Sequence, residues 1–179
     1  MSKFSSKTLT YTALLSAILC VVSPLTIPIG AVPISFTTLI IFITAGIVDY
    51  KISTLATIVY ILIGVVGLPV FSNFQGGISV LFNGTGGFIL GYTLCAFLTS
   101  FLVCKFKGLK IVYVLTMLIS TLILYIIGTA WFMIITKTNF ISAITICVLP
   151  FVFFDVVKII IATLLYGPLK KSFLKINKR

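Results

Sequence analysis

Asp155 and Lys158 lie three residues apart in the run Phe151-Val-Phe-Phe-Asp-Val-Val-Lys-Ile-Ile-Ile, which is otherwise apolar. On a helix this spacing puts both side chains on one face, within reach of each other. At the centre of a membrane helix each charge would cost about 2.5–3.5 kcal/mol by the lower insertion scale. Two roles account for such a pair. It offsets its own burial and ties a bundle together, or it forms a ligand site in which Lys158 supplies positive charge to an acidic ligand and Asp155 holds the lysine in place. Ionisable residues inside a membrane favour the second role.

A second set of polar groups lies in the segment Pro69–Gly86, which carries Gly76, Gly77, Gly84 and Gly86 among Asn73, Gln75, Asn83 and Thr85. Such a segment reads either as a flexible hairpin or as backbone that lets a ligand approach closely. Its last part, Asn83-Gly-Thr-Gly-Gly, opens an apolar run, where the amides of a helix N-terminus receive an anion. Phe71, Phe74, Phe88, Tyr92 and Trp131 read as core or interface rings, or as walls for the apolar part of a ligand.

Other chemistry is excluded by what the chain lacks. It contains no histidine, and its four cysteines (Cys20, Cys95, Cys104 and Cys147) show no metal-ligand spacing, so they read as small apolar packing residues. No GxxxxGK[ST] phosphate loop is present, so the chain itself should not hydrolyse ATP. Asp49 and Asp155 are too far apart in the expected topology to act as an acid–base pair. The expectation is a protein that is not an enzyme and carries no metal or cofactor.

The surrounding elements follow from composition. Of 179 residues, 60% are apolar and 8% charged, against about 25% charged in a soluble domain. Lipid must therefore be the solvent for most of the chain. Six apolar runs are expected as spans: Leu9–Val22, Ile34–Val48, Ile52–Leu68, Gly87–Cys104, Ile111–Ile135 and Ile141–Tyr166. Residues 1–179 form one all-α, polytopic six-helix membrane domain, and the basic segment Met1–Lys7 precedes a retained first helix. The net charge of +11 reads as topology and not as a nucleic-acid surface. Lys3, Lys7, Lys51, Lys105, Lys107, Lys110, Lys170, Lys171, Lys175, Lys178 and Arg179 fall on one side, and Lys137 falls on the other. The positive-inside rule puts both termini in the cytoplasm and Ser23–Pro33, Pro69–Gly86 and Thr136–Phe140 outside. In Ser23–Pro33, Pro24, Pro28 and Pro33 favour extended backbone. In the first span Ala13 and Ala17, with Ser16 beside them, allow close helix approach, either within the bundle or to a partner.

The ordered set Ile27-Pro-Ile-Gly-Ala-Val-Pro-Ile-Ser-Phe-Thr-Thr, Gly64-Val-Val-Gly-Leu-Pro-Val-Phe, Gly76-Gly77, Gly84-Thr-Gly-Gly-Phe, Gly128 with Trp131, and Leu149-Pro-Phe with Asp155 and Lys158 resembles the BioY family over nearly the whole chain. The family supplies biotin-binding S components of energy-coupling factor (ECF) transporters. The resemblance implies a multi-pass plasma-membrane subunit that takes up biotin together with a transmembrane coupling protein and two ATPase subunits, which alone use ATP. It implies that Ala13 and Ala17 dock the coupling protein. It also groups Asn83, Asp155 and Lys158 at the carboxylate end of biotin, with the loop at Gly76 and Gly77 closing the pocket. Thr37 stands near a position where the family commonly has Gln, and Tyr92 near one where some members carry a basic residue; both are candidate ureido contacts. The competing readings are an S component for thiamine or riboflavin, a stand-alone secondary transporter or channel, and a purely structural membrane subunit.

Overall fold

The computed structural model describes residues 6–28, 32–106 and 109–177. Part of the proline-rich signature (Ile29, Gly30 and Ala31) and four of the orienting basic residues (Lys3, Lys107, Lys178 and Arg179) lie outside the described residues. Seven α-helices are found among those described: α1 (Ser6–Val22), α2 (Thr37–Ile47), α3 (Tyr50–Val65), α4 (Gly86–Lys105), α5 (Lys110–Thr136), α6 (Phe140–Cys147) and α7 (Leu149–Asn177). Three stretches are long and apolar enough to cross a membrane: α4, α5, and Phe140–Lys175 across α6 and α7. The helices α1, α2 and α3 are apolar but shorter.

Local chemistry explains the boundaries. Asp49 caps α3, its carboxylate accepting the Tyr50 N–H at 2.7 Å, and Asn139 caps α6 by accepting the Ser142 N–H at 2.8 Å. Inside the helices Thr44, Thr57, Thr121 and Thr163 donate to carbonyls one turn back, which lets hydroxyls sit in apolar surroundings. The sixth apolar run differs from the single span expected. It breaks at Val148 (φ −121°, ψ −53°), and α7 then continues past Tyr166 to Asn177. Pro150 lies in the first turn of α7, where its missing N–H costs nothing. Between α1 and α2 the described residues form a short antiparallel pair, β1 (Thr26–Ile27) with β2 (Ile34–Ser35).

The helices pack with α4 along α5, α3 against α1 and α4, and α2 against α4 and α7. Ile41, Phe42, Tyr60, Cys95, Tyr113, Met117 and Ala162 fill the interior, while Leu122, Ile126, Ile134 and Leu164 face outward. Polar bonds tie the elements together: Tyr113 Oη donates to the Phe42 carbonyl at 2.6 Å, Ser100 Oγ to the Val48 carbonyl at 2.9 Å, and Thr99 Oγ1 to Ser120 Oγ at 2.8 Å. All four cysteines are free; Cys95 and Cys147 are buried as expected, whereas Cys104 is exposed.

Gly128 on α5 makes the notch that admits Phe88 of α4, and a Cβ there would overlap the Phe88 ring. Overpacking of this kind costs about 1–3 kcal/mol. Gly128→Val is expected to lower the thermal unfolding midpoint in detergent, and adding Phe88→Leu should recover part of the loss.

Candidate ligand-binding site

Asp155 and Lys158 stand together on α7 and are 5% and 6% exposed, so both charges are buried. Lys158 Nζ donates to Asp155 Oδ1 at 2.8 Å and to Thr38 Oγ1 on α2 at 3.0 Å. Tyr125 on α5 donates its phenolic O–H to the other carboxylate oxygen, Asp155 Oδ2, at 2.6 Å. An ammonium has three donors; these bonds use two of the lysine's. The cluster is formally neutral, and both carboxylate oxygens are engaged.

The cluster closes one end of an inner cavity of about 30 Å³. That is about the space of one water molecule. Tyr92, Phe88 and Ile89 of α4, Ser35 of β2 and Phe151 of α7 complete its walls. Pro33, Ser72, Thr85 and Ile89 also wall a second, outer chamber of about 310 Å³, lined further by Phe71, Asn73, Gln75, Asn83, Gly84, Phe132 and Thr136. The outer chamber has the size of a small-molecule site.

The loop over the outer chamber is held by its own backbone. Gly77 takes φ +96° and donates its N–H to the Gly64 carbonyl at 2.7 Å, at the end of α3. A Cβ on Gly76 would strike the Gly67 and Leu68 carbonyls. Phe71 N–H donates to the Gln75 carbonyl at 2.9 Å, and Thr26 Oγ1 hydrogen-bonds Asn73 Oδ1. Gly76 and Gly77 thus brace the loop and wall neither cavity.

The structure brings Asp155, Lys158 and Tyr92 to the inner cavity and Asn83 to the adjoining outer chamber. Thr37 is fully buried, receives no place on either wall, and has its hydroxyl engaged with that of Ser35. Its neighbour Thr38 meets the lysine instead. Among the aromatics, Phe88 and Tyr92 wall the inner cavity and Phe71 the outer chamber, while Phe74 is exposed. Trp131 donates Nε1–H to the Asn83 carbonyl at 3.2 Å. Sequence reasoning missed Tyr125 and Thr38. Tyr125 carried the usable signal of a hydroxyl-bearing ring in an apolar run, but its α5 register against Asp155 is a tertiary property. Ala13 and Ala17 are exposed on α1.

An apolar helical bundle with a ligand-sized chamber, next to an inner cavity lined by a buried charge pair, has the make-up of a membrane-embedded solute-binding protein. A model of the BioY family matches residues 1–175, and the chain belongs to that family. It is 34% identical over 170 residues to the biotin transporter BioY2 of Lactococcus lactis subsp. cremoris (strain MG1363), covering 95% of this chain and 93% of the relative. It is 34% identical over 167 residues to the biotin transporter BioY of Thermotoga maritima, covering 87% and 91%. The solved S-component for biotin from an ECF-type ABC transporter shares the fold, with a TM-score of 0.85 at 24% identity over 92% of this chain and 91% of that one. The chain is therefore an integral membrane protein from a family of transporters and not of enzymes.

Removing one member of a buried ion pair costs about 3–5 kcal/mol, because the other is left uncompensated. Asp155→Asn and Lys158→Met are each expected to lower thermal stability in detergent. The double variant should be more stable than either single one.

Proposed function

We propose that this chain is the biotin-binding S component of an ECF importer in the plasma membrane, with six spans and both termini in the cytoplasm. The single observation that carries the reading is the buried Lys158–Asp155–Tyr125 cluster on an inner cavity that adjoins, through Pro33, Ser72, Thr85 and Ile89, a chamber of ligand size. The names of its relatives support biotin as the ligand. The orientation is supported by Lys137 following Thr136 at the chamber's wall, while Lys7, Lys51, Lys105, Lys110, Lys170, Lys171 and Lys175 belong to the other end. That arrangement opens the chamber to the outside.

Charge decides how the ligand lies. A biotin carboxylate placed beside Asp155 would leave a net negative charge in a water-sized space, at a cost of several kcal/mol. A neutral ureido group has N–H donors for Asp155 and a carbonyl for the lysine's third donor. The ring end therefore goes inward, and the carboxylate stays in the outer chamber near Asn73, Gln75, Asn83 and Thr136. This ordering separates Asn83 from Lys158, unlike the grouping the family resemblance implies. The coupling protein docks on the exposed small-residue face at Ala13 and Ala17. Two ATPase subunits supply the energy.

Calorimetric titration of the stripped, detergent-purified protein with biotin should give tight one-to-one binding that neither thiamine nor riboflavin displaces. Lys158→Ala should weaken it at least tenfold, at a temperature where the variant is still folded. Absence of heat and of thermal stabilisation from a folded protein would sink the biotin reading. Biotin methyl ester, which lacks the carboxylate, should keep most of the affinity; its loss would put the carboxylate at the lysine.

A further inference from the structure

Room at the inner end is the difficulty for any ring-bearing ligand. The inner cavity holds about 30 Å³, so a wall must move before a ureido ring reaches Lys158. Most walls are backed by protein: Phe88 is stacked on Phe151 with ring centroids 6.2 Å apart and sits in the Gly128 notch. Tyr125 differs. Besides the inner cavity it lines an apolar lateral pocket of about 290 Å³ between α5 and α6, walled also by Ile126, Thr129, Ala130, Met133 and Phe140. Its phenol is tied by the hydrogen bond to Asp155.

We propose that Tyr125 is the specificity-determining wall of the site, whose ring turns into the lateral pocket as the ligand's ring arrives. This rests on the ring-inward reading above. The displaced phenol gives up Asp155 Oδ2, and that oxygen accepts an N–H from the ligand, so one hydrogen bond replaces another. In the pocket the phenol needs a partner of its own. Thr129 Oγ1, one turn along α5, is buried there without one among the described residues. In a membrane the pocket contains acyl-chain methylenes, which give way to a ring as a packed side chain does not. The selectivity follows: a ligand whose inner end has no N–H or O–H donor cannot replace the phenol on Asp155 and is refused.

The test fills the pocket from the lipid side without touching the inner cavity. Radiolabelled biotin binding is measured for the wild type, Ala130→Trp, Ala130→Trp with Tyr125→Ala, and Leu164→Trp as an outward-facing control on α7. Ala130→Trp should lose at least tenfold in affinity with its ligand-free unfolding midpoint unchanged. Removing the Tyr125 ring should restore part of that loss, and Leu164→Trp should bind as the wild type does. Wild-type affinity in Ala130→Trp, no recovery in the double variant, or an equal loss in Leu164→Trp overturns the role of Tyr125. A folded wild type that binds no biotin overturns the preceding reading and this one with it.

Discussion

A charge pair buried in a lipid-solvated bundle must find its partners within the protein, because the surrounding hydrocarbon offers none. The pair itself lies on α7, but its satisfaction does not. Lys158 needs Thr38 from α2, and Asp155 needs Tyr125 from α5. Three helices distant in sequence are thereby fixed in rotation and height by one cluster. A slip of α5 by one residue would turn Tyr125 away by about 100°, given 3.6 residues per turn, and orphan a carboxylate oxygen. The position of the cavity follows from the same bonds, since the walls of the inner space are the neighbours of those residues.

Around this cluster, contact distance is set by small residues and shape by the loops. Gly128 lets Phe88 lie flat between α4 and α5, and Phe88 in turn stacks on Phe151 beside the cavity. The strand pair β1–β2 delivers Ser35 and Pro33 to the cavities immediately before α2 begins. The loop after α3 folds back through Gly77 onto Gly64 and hangs Asn73 and Gln75 over the chamber. The glycines serve the loop's geometry, and the polar side chains between them serve the chamber.

Much of this was legible from residue types alone, because membrane solvation imposes strict rules. Apolar runs located α1 to α5 to within a few residues, and two charges in the last run marked the buried charge cluster. Family resemblance supplied the proposed ligand class. Legibility failed where the answer depends on register between helices. Thr37 and Thr38 are indistinguishable in sequence, yet the first is engaged with Ser35 at the start of α2 and the second meets Lys158. The family resemblance groups Asn83 with the lysine, whereas in the structure Asn83 lines the outer chamber and Lys158 the adjoining inner cavity, a placement that depends on how the loop after α3 folds. The break at Val148 was hidden because an apolar run interrupted by one non-helical residue keeps its composition.

The self-sufficiency of the charge cluster bears on transport. A carrier subunit must be stable both loaded and unloaded, and a site that relied on ligand charge to neutralise its own would be left with an orphan ion after release. Here the protein's own groups leave the cluster neutral, with both Asp155 oxygens bonded. On the proposed reading, a neutral ring end exchanges its N–H for the phenol of Tyr125, and the reverse exchange restores the empty state without exposing a bare charge. Affinity then comes from the ring's burial and the lysine's third donor. The ligand's own carboxylate stays near the chamber mouth, where water solvates it. Such a division permits tight capture without making the unloaded protein pay for it in stability, which is the condition a subunit that repeatedly fills and empties has to meet.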